Sequence, residues 1–362
     1  MYSRFYNILP ANKKISDGSV YLLNDEEVRV IRKTERNAIV TSALIGAAMI
    51  LILYVPQYLW GDYFADAPFE VPLLKKTVMF NMPKFLFGQA LVFVEVFLLT
   101  LLGIYCAHEI GVSTGFIDRN SKLNPEKKDI LLKISKEYKT KEIHDLGINP
   151  YHGLSKYRIF LLNLLFTLKA TLSNFLVRLF LQKILGRYAF RIVLDFAGIP
   201  VFAFWNAMGT RKILRESRIV IMGLNLLERF GAELNSFRSL SEEEKTLLYD
   251  TLQLIAVSKR DYHQNHYVLS KMVMDRFSVP VEPEHTISPA YLREITIAEK
   301  SFRSLNEKII ILGLIIDGHI SKREKKRIEE LQAAGAIRSG TQQITAIKDS
   351  FVYGKGIDVN TF

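Results

Sequence analysis

Apolar positions change their rhythm along this chain, and the changes divide it. From Asn37 to Gly61 there is an uncharged run, and from Phe85 to Ala107 a second apolar run carries Glu95 as its one charge. Either run can cross a bilayer as a helix, which takes roughly 20 mostly apolar residues. The polar stretch Asp62–Lys84 between them predicts a short loop, and the whole predicts a transmembrane hairpin with spans at about 38–60 and 85–107. Upstream, Asn24 and Glu27 stand at capping-box spacing, and Asp25, Glu26 and Glu27 suit the positive end of a helix dipole. No Gly or Pro follows until Gly46, so one long helix is expected from about Asp25 to about Leu59, with Tyr54, Tyr58 and Trp60 as interfacial aromatics. Residues 1–24 read as a short irregular arm.

After Ala107 the pattern turns polar. Residues 108–155 form a connector in which Asn124-Pro125-Glu126 starts a helix, and Ile130, Leu131, Ile134 and Tyr138 give it an apolar face. Tyr157 to Leu185 is apolar again but carries Asn163, Thr167, Thr171, Asn174, Arg178 and Gln182 three or four residues apart, hence on one face, with Lys169 outside the stripe. A charge at mid-bilayer costs at least about 2.5–3.5 kcal/mol, so this stripe needs partners or the interface. Phe196–Thr210 follows, preceded by Arg191 and Asp195 at i, i+4, and Gly198-Ile199-Pro200 should kink or break the helix. Residues 156–210 are thus expected to form a second membrane-embedded hairpin.

From Arg211 the pattern is that of a water-soluble helical domain, 211–334. Arg211, Lys212, Arg215 and Arg218 mark the membrane exit, and Arg215–Phe237 continues as an amphipathic helix. Ser241 with Glu244, Ser304 with Glu307 and Ser321 with Glu324 each read as a capping box. Ser278–Pro289, with three prolines, is a linker, and 335–362 reads as a loose tail. The fold class expected is all-α: a helical membrane bundle with a cytoplasmic all-helical domain.

Composition agrees with two environments in one chain: 49% of residues are hydrophobic and 23% charged, which suits neither a disordered chain nor a protein embedded throughout. Positive charge is dense before the first span and after the second, and sparse between them. That asymmetry puts the N-terminus in the cytoplasm of a multi-pass inner-membrane protein, and the C-terminus with it when both segments of the second hairpin span or neither does. The net charge of +11 suits anionic lipid heads, whereas no nucleic-acid motif accompanies it. Cys106 is the only cysteine, so no internal disulfide forms.

The domain contains an echo. Leu252–Asp261 is similar to Leu312–Ser321: an apolar helix ends in a turn and a charged helix follows. The second copy reads Asp317-Gly318-His319-Ile320-Ser321, with Glu324 three residues on. It resembles the helix–Asp-Gly–helix signature of tellurite-resistance (TerB-like) helical modules over Ile309–Leu331, and more loosely over Ser241–Leu331. That resemblance implies a divalent-metal role for Asp317 and Glu324. The first copy departs from it, with Ser258 and Lys259 at its turn. Gly198–Asn206 with its basic exit is similar to membrane-associated regions of bacterial EcsC-like proteins, and the layout resembles a bacterial multi-pass membrane protein family.

Candidate chemistry is sparse. Glu95, Lys169, Asn163 and Asp195 are the intramembrane polar candidates. Glu95 reads either as a proton or cation site or as a structural contact, protonated or paired with Lys169, and the stripe of residues 163–182 as interhelical glue or a polar path. Asp261, His263 and His266 lack the usual zinc spacing and read as exposed helix surface; Cys106, His108 and Glu109 read as packing. No phosphate loop, nucleophile elbow or zincin motif occurs, so the expectation is a non-enzyme without a cofactor. The reading favoured is a membrane-anchored scaffold whose cytoplasmic module binds a protein partner, in an envelope-stress response among other settings. The alternative is a small transporter or channel component using Glu95. Either is compatible with a homo-oligomer.

Overall fold

The computed structural model describes residues 2–10, 23–65, 67–71, 76–117, 128–130, 132, 145–151, 155, 157, 198–260, 262–282, 285–354 and 357. Asn163, Lys169, Asp195 and nearly all of the expected third helix lie outside the described residues, as does most of the connector helix.

The described chain is all-α apart from one small hairpin. The long helix falls where the cap predicts it. Helix α2 (Asp25–Leu59) starts at Asn24, whose Oδ1 accepts from the Glu27 N–H at 2.9 Å while its own N–H donates to Glu27 Oε2 at 2.8 Å. The second apolar helix is α3 (Met82–Ser113), capped by Asn81. Both helices are long and apolar enough to cross a membrane. Only 22% and 28% of their most apolar windows are buried, and Leu44 and Phe93 are 65% and 75% exposed. The core helix of a water-soluble domain would hide such residues.

Two expectations about the flanks of this hairpin change. The N-terminal arm contains a helix, α1 (Tyr2–Ile8), which packs on α3, and Tyr6 is buried with its ring edge-on to His108 at 5.3 Å. The polar loop contains an antiparallel pair, β1 (Ala67–Val71) and β2 (Lys76–Phe80), with Ala67 opposite Phe80 and Val71 opposite Lys76. Phe69, Val71, Val78 and Phe80 favour extended backbone, and runs this short escape a search at helical period.

Helix α4 (Gly198–Asn235) joins the two halves of the molecule. It runs antiparallel to α2: Gly198 lies by Ile50, Phe202 and Asn206 lie by Gly46, and Arg218 pairs with Glu35 at 2.7 Å. The fit depends on small residues. Ala38, Ser42 and Gly46 recur every four positions on the buried side of α2, and a Cβ on Gly46 would come within 2.8 Å of the Phe202 carbonyl oxygen. The helix passes the expected boundary near residue 210 without interruption.

Its second half enters the domain core. Ile219, Met222, Leu226, Leu227, Phe230 and Leu234 are buried against α5 (Glu242–Lys259), α6 (Gln264–Phe277), α7 (Tyr291–Ile297) and α8 (Lys300–Ile315). Helices α9 (Lys322–Ala333) and α10 (Thr341–Val352) close the domain. Helix α10 replaces the expected loose tail: Ile344, Phe351 and the following Ile357 are all buried in the core. The boxes at Ser241 and Ser321 form as expected. The one at Ser304 does not, because α8 begins earlier, after Glu299, and Glu307 is buried and accepts from the Arg338 N–H (2.6 Å) and Nε (2.8 Å). The prolyl linker is tied down by His285, which bridges Asp250 (2.7 Å) and Glu282 (3.0 Å) and stacks on Tyr249 at 4.1 Å.

Candidate functional site

The acidic turn is built as its sequence predicts. Asp317-Gly318 makes the turn after α8, Gly318 has φ +69°, and Ser321 starts α9 with its side chain accepting from the Glu324 N–H. A Cβ at Gly318 would lie 2.7 Å from Ile219 Cδ1, so both the backbone angle and the space favour glycine.

What fills the turn is a lysine from the other copy of the echo. Lys259 Nζ donates to the carbonyls of Leu314 (2.7 Å) and His319 (2.8 Å) and to Asp317 Oδ1 (2.8 Å), and it contacts Glu324 Oε1. Its side chain is 1% exposed and that of Glu324 3%. Two carboxylates and two carbonyls thus surround an ammonium in the place where the resemblance implies a metal ion. The geometry has a sequence cause. Ile255 corresponds to Ile315, where α8 ends, but the first copy lacks Asp-Gly and α5 runs four residues further, to Lys259. That extra turn carries the lysine into its neighbour's turn. The exchange is mutual, since Arg323 of α9 donates to the Ser258 carbonyl at 2.8 Å from Nη2 and 3.1 Å from Nε. The helices meet closely: a Cβ on Gly313 would lie 2.5 Å from Ile255 Cδ1.

Beside this cage, His263 and His266 are not surface residues. His263 is the N-cap of α6, its Nδ1 accepting from the Asn265 N–H at 3.1 Å, and its Nε2 lies 2.7 Å from Glu216. His266 is fully buried. Its Nδ1 accepts from the His263 N–H at 3.2 Å, and Nε2 donates to the Gly313 carbonyl at 2.9 Å. Burial, then the charge of Lys259, holds His266 well below the usual histidine value, so the ring is neutral.

Within the apolar bundle, Glu95 accepts a hydrogen bond from Asn206 Nδ2 at 2.6 Å. The sequence points to the Asn163–Gln182 stripe for this partner. Asn206 stands inside an apolar run, where an isolated Asn is itself the signal of a polar partner. Cys106, His108 and Glu109 are buried at the end of α3, and among the described residues no group of three His, Cys, Asp or Glu side chains is placed to hold a metal ion.

One concave surface unites residues that the sequence treats only as topology signals. A cleft of about 870 Å³ lies between the first turns of α2 and the end of α10. Arg29, Arg32, Lys33 and Arg36 line one side and Tyr353-Gly354 the other. Their i, i+3, i+4, i+7 spacing puts the four cations on one helical face. The far wall is fixed, because the Leu23 N–H donates to the Gly354 carbonyl at 3.0 Å.

No known protein family, curated protein or solved structure matches the chain.

Proposed function

We propose that this chain is a multi-pass protein of a bacterial inner membrane whose cytoplasmic, TerB-like helical module binds a protein partner at the membrane surface. The observation that carries the reading is α4. One uninterrupted helix lies along the apolar α2 in its first half and supplies core residues to the polar domain in its second. The antiparallel pairing of α2 and α4 brings the charged start of α2 and the domain to the same end of the bundle, which the positive-inside rule assigns to the cytoplasm. A module fixed so rigidly to the bilayer is suited to scaffolding. The absence of a catalytic motif from the sequence and the use of Asp317 and Glu324 to hold Lys259 favour interaction over chemistry. The Glu95–Asn206 bond serves in this reading to join α3 to α4.

Val281, Leu292 and Ile297 leave apolar surface exposed on the domain, Ile297 being 77% exposed. A photo-crosslinking residue placed at Ile297 of the full chain in native membranes should give a discrete adduct heavier than the chain. The same residue at the exposed Glu243 should not. Identical patterns at the two positions would defeat the scaffold reading.

A further inference from the structure

We infer that the cleft between α2 and Tyr353-Gly354 is a binding site for a phosphate-bearing anion. Four cations converge on it, Asp25 is the one acid among the described residues of its lining, and its volume of about 870 Å³ is that of a small-molecule pocket. All four of those cations are exposed, and among the described residues none of them makes an ion pair or a side-chain hydrogen bond. Other cations of the chain are paired: Arg218 with Glu35, Lys259 with Asp317 and Arg338 with Glu307. Three of the four lining cations are arginines, whose planar forks match phosphate oxygens in pairs.

The cleft also stands at a defined height. Arg36 immediately precedes the uncharged run that begins at Asn37, and Arg29 lies about 10 Å further along the helix axis. A headgroup layer is roughly 5–8 Å thick on each side of the hydrocarbon. A lipid phosphate therefore reaches Arg36 and Lys33, and a soluble phosphate can approach Arg29 from the open side. The lipid source rests on the membrane reading above, while the soluble source does not.

The full chain in neutral detergent is titrated separately with dihexanoyl phosphatidylglycerol, dihexanoyl phosphatidylcholine and inorganic pyrophosphate, with adducts counted by native mass spectrometry. Retention of phosphatidylglycerol over phosphatidylcholine identifies a headgroup site, and retention of pyrophosphate without the lipid identifies a soluble anion. Replacing the two central cations, Arg32→Gln with Lys33→Gln, should weaken the retained anion roughly 30-fold, at several-fold per cation. Tyr353→Glu leaves the topology-setting charges intact and should weaken binding in the same direction. The matched control, Lys325→Gln with Lys326→Gln on α9, should bind as wild type. Wild-type retention of neither anion, or equal retention by the cleft variants and wild type, would overturn the site. Recovery of the chain without detergent would defeat the membrane reading and leave the pyrophosphate arm standing.

Discussion

Lys259 shows how one side chain can decide what a motif does. The Asp-Gly turn is legible in the sequence because Gly318, Ser321 and Glu324 act locally, within a few residues of one another. The occupant is not, since Lys259 lies 58 residues from Asp317 and reaches it only because α5 runs one turn past its counterpart. Removing the ammonium strands two carboxylates, one of them buried. Lys259→Met should therefore cost about 3–5 kcal/mol, as broken buried pairs do, read as a lower urea midpoint for the detergent-solubilised chain. A midpoint close to wild type would show that the cage contributes little. His266, beside the cage, gives a pH test. Its folded pKa lies well below 6.5, so the unfolded chain takes up the proton first. The stability from its neutral form is complete above about 6.5 and is lost as pH falls towards the folded value, at up to about 1.4 kcal/mol per pH unit. Urea midpoints should drop through this window, and His266→Gln, with no proton to gain, should flatten the slope. An unchanged slope would place the proton elsewhere.

At the scale of elements, what depended on periodicity and caps was readable. The Asn24 box starts α2 where expected, and the apolar runs locate α2 and α3, although α3 continues past the expected end at Ala107 to Ser113. Elements defined by what they touch were missed. Helix α1 is short and gains its order from burying Tyr6 against α3, and α10 shows its purpose only when Ile344 and Phe351 meet the domain core. The seam between α2 and α4 was hidden too, because Ala38, Ser42 and Gly46 are unremarkable until a second helix is laid across them. That seam has little room. A Cβ on Gly46 would come within 2.7 Å of Asn206 Nδ2, the atom that donates to Glu95, and within 2.8 Å of the Phe202 carbonyl oxygen, which cannot move without its helix. Gly46→Leu should displace α4 and weaken the Glu95 bond, at about 1–3 kcal/mol or more for overpacking, and Gly46→Ala should do the same to a smaller degree. Thermal aggregation midpoints in detergent should fall in the order wild type, Ala, Leu. Indistinguishable midpoints would mean that the helices are not in close contact there.

The whole molecule is held together by a helix that belongs to both of its parts, and this sets what can be cut from it. Read from sequence, the helical domain spans 211–334, and the echo and its resemblance reach over Ser241–Leu331 within it. The core extends well beyond that resemblance. Ile219, Met222, Leu226, Leu227, Phe230 and Leu234 enter from α4, and Ile344, Phe351 and Ile357 enter from beyond α9. A Ser241–Leu331 fragment would lose all of these partners and expose the apolar faces they cover, at about 1.5–3 kcal/mol for each large side chain. Folded domains have only about 5–15 kcal/mol in reserve. We therefore expect Ser241–Leu331 to remain unfolded or aggregate, and Arg211–Phe362 to be helical and to melt cooperatively without detergent, as followed by circular dichroism. The shorter fragment melting as cooperatively as the longer would show that the module is independent of α4, and would remove the structural basis for a rigid link to α2 and α3. If only the longer fragment folds, its core and the apolar bundle share one helix, and a displacement of α4 along α2 must be felt in the domain.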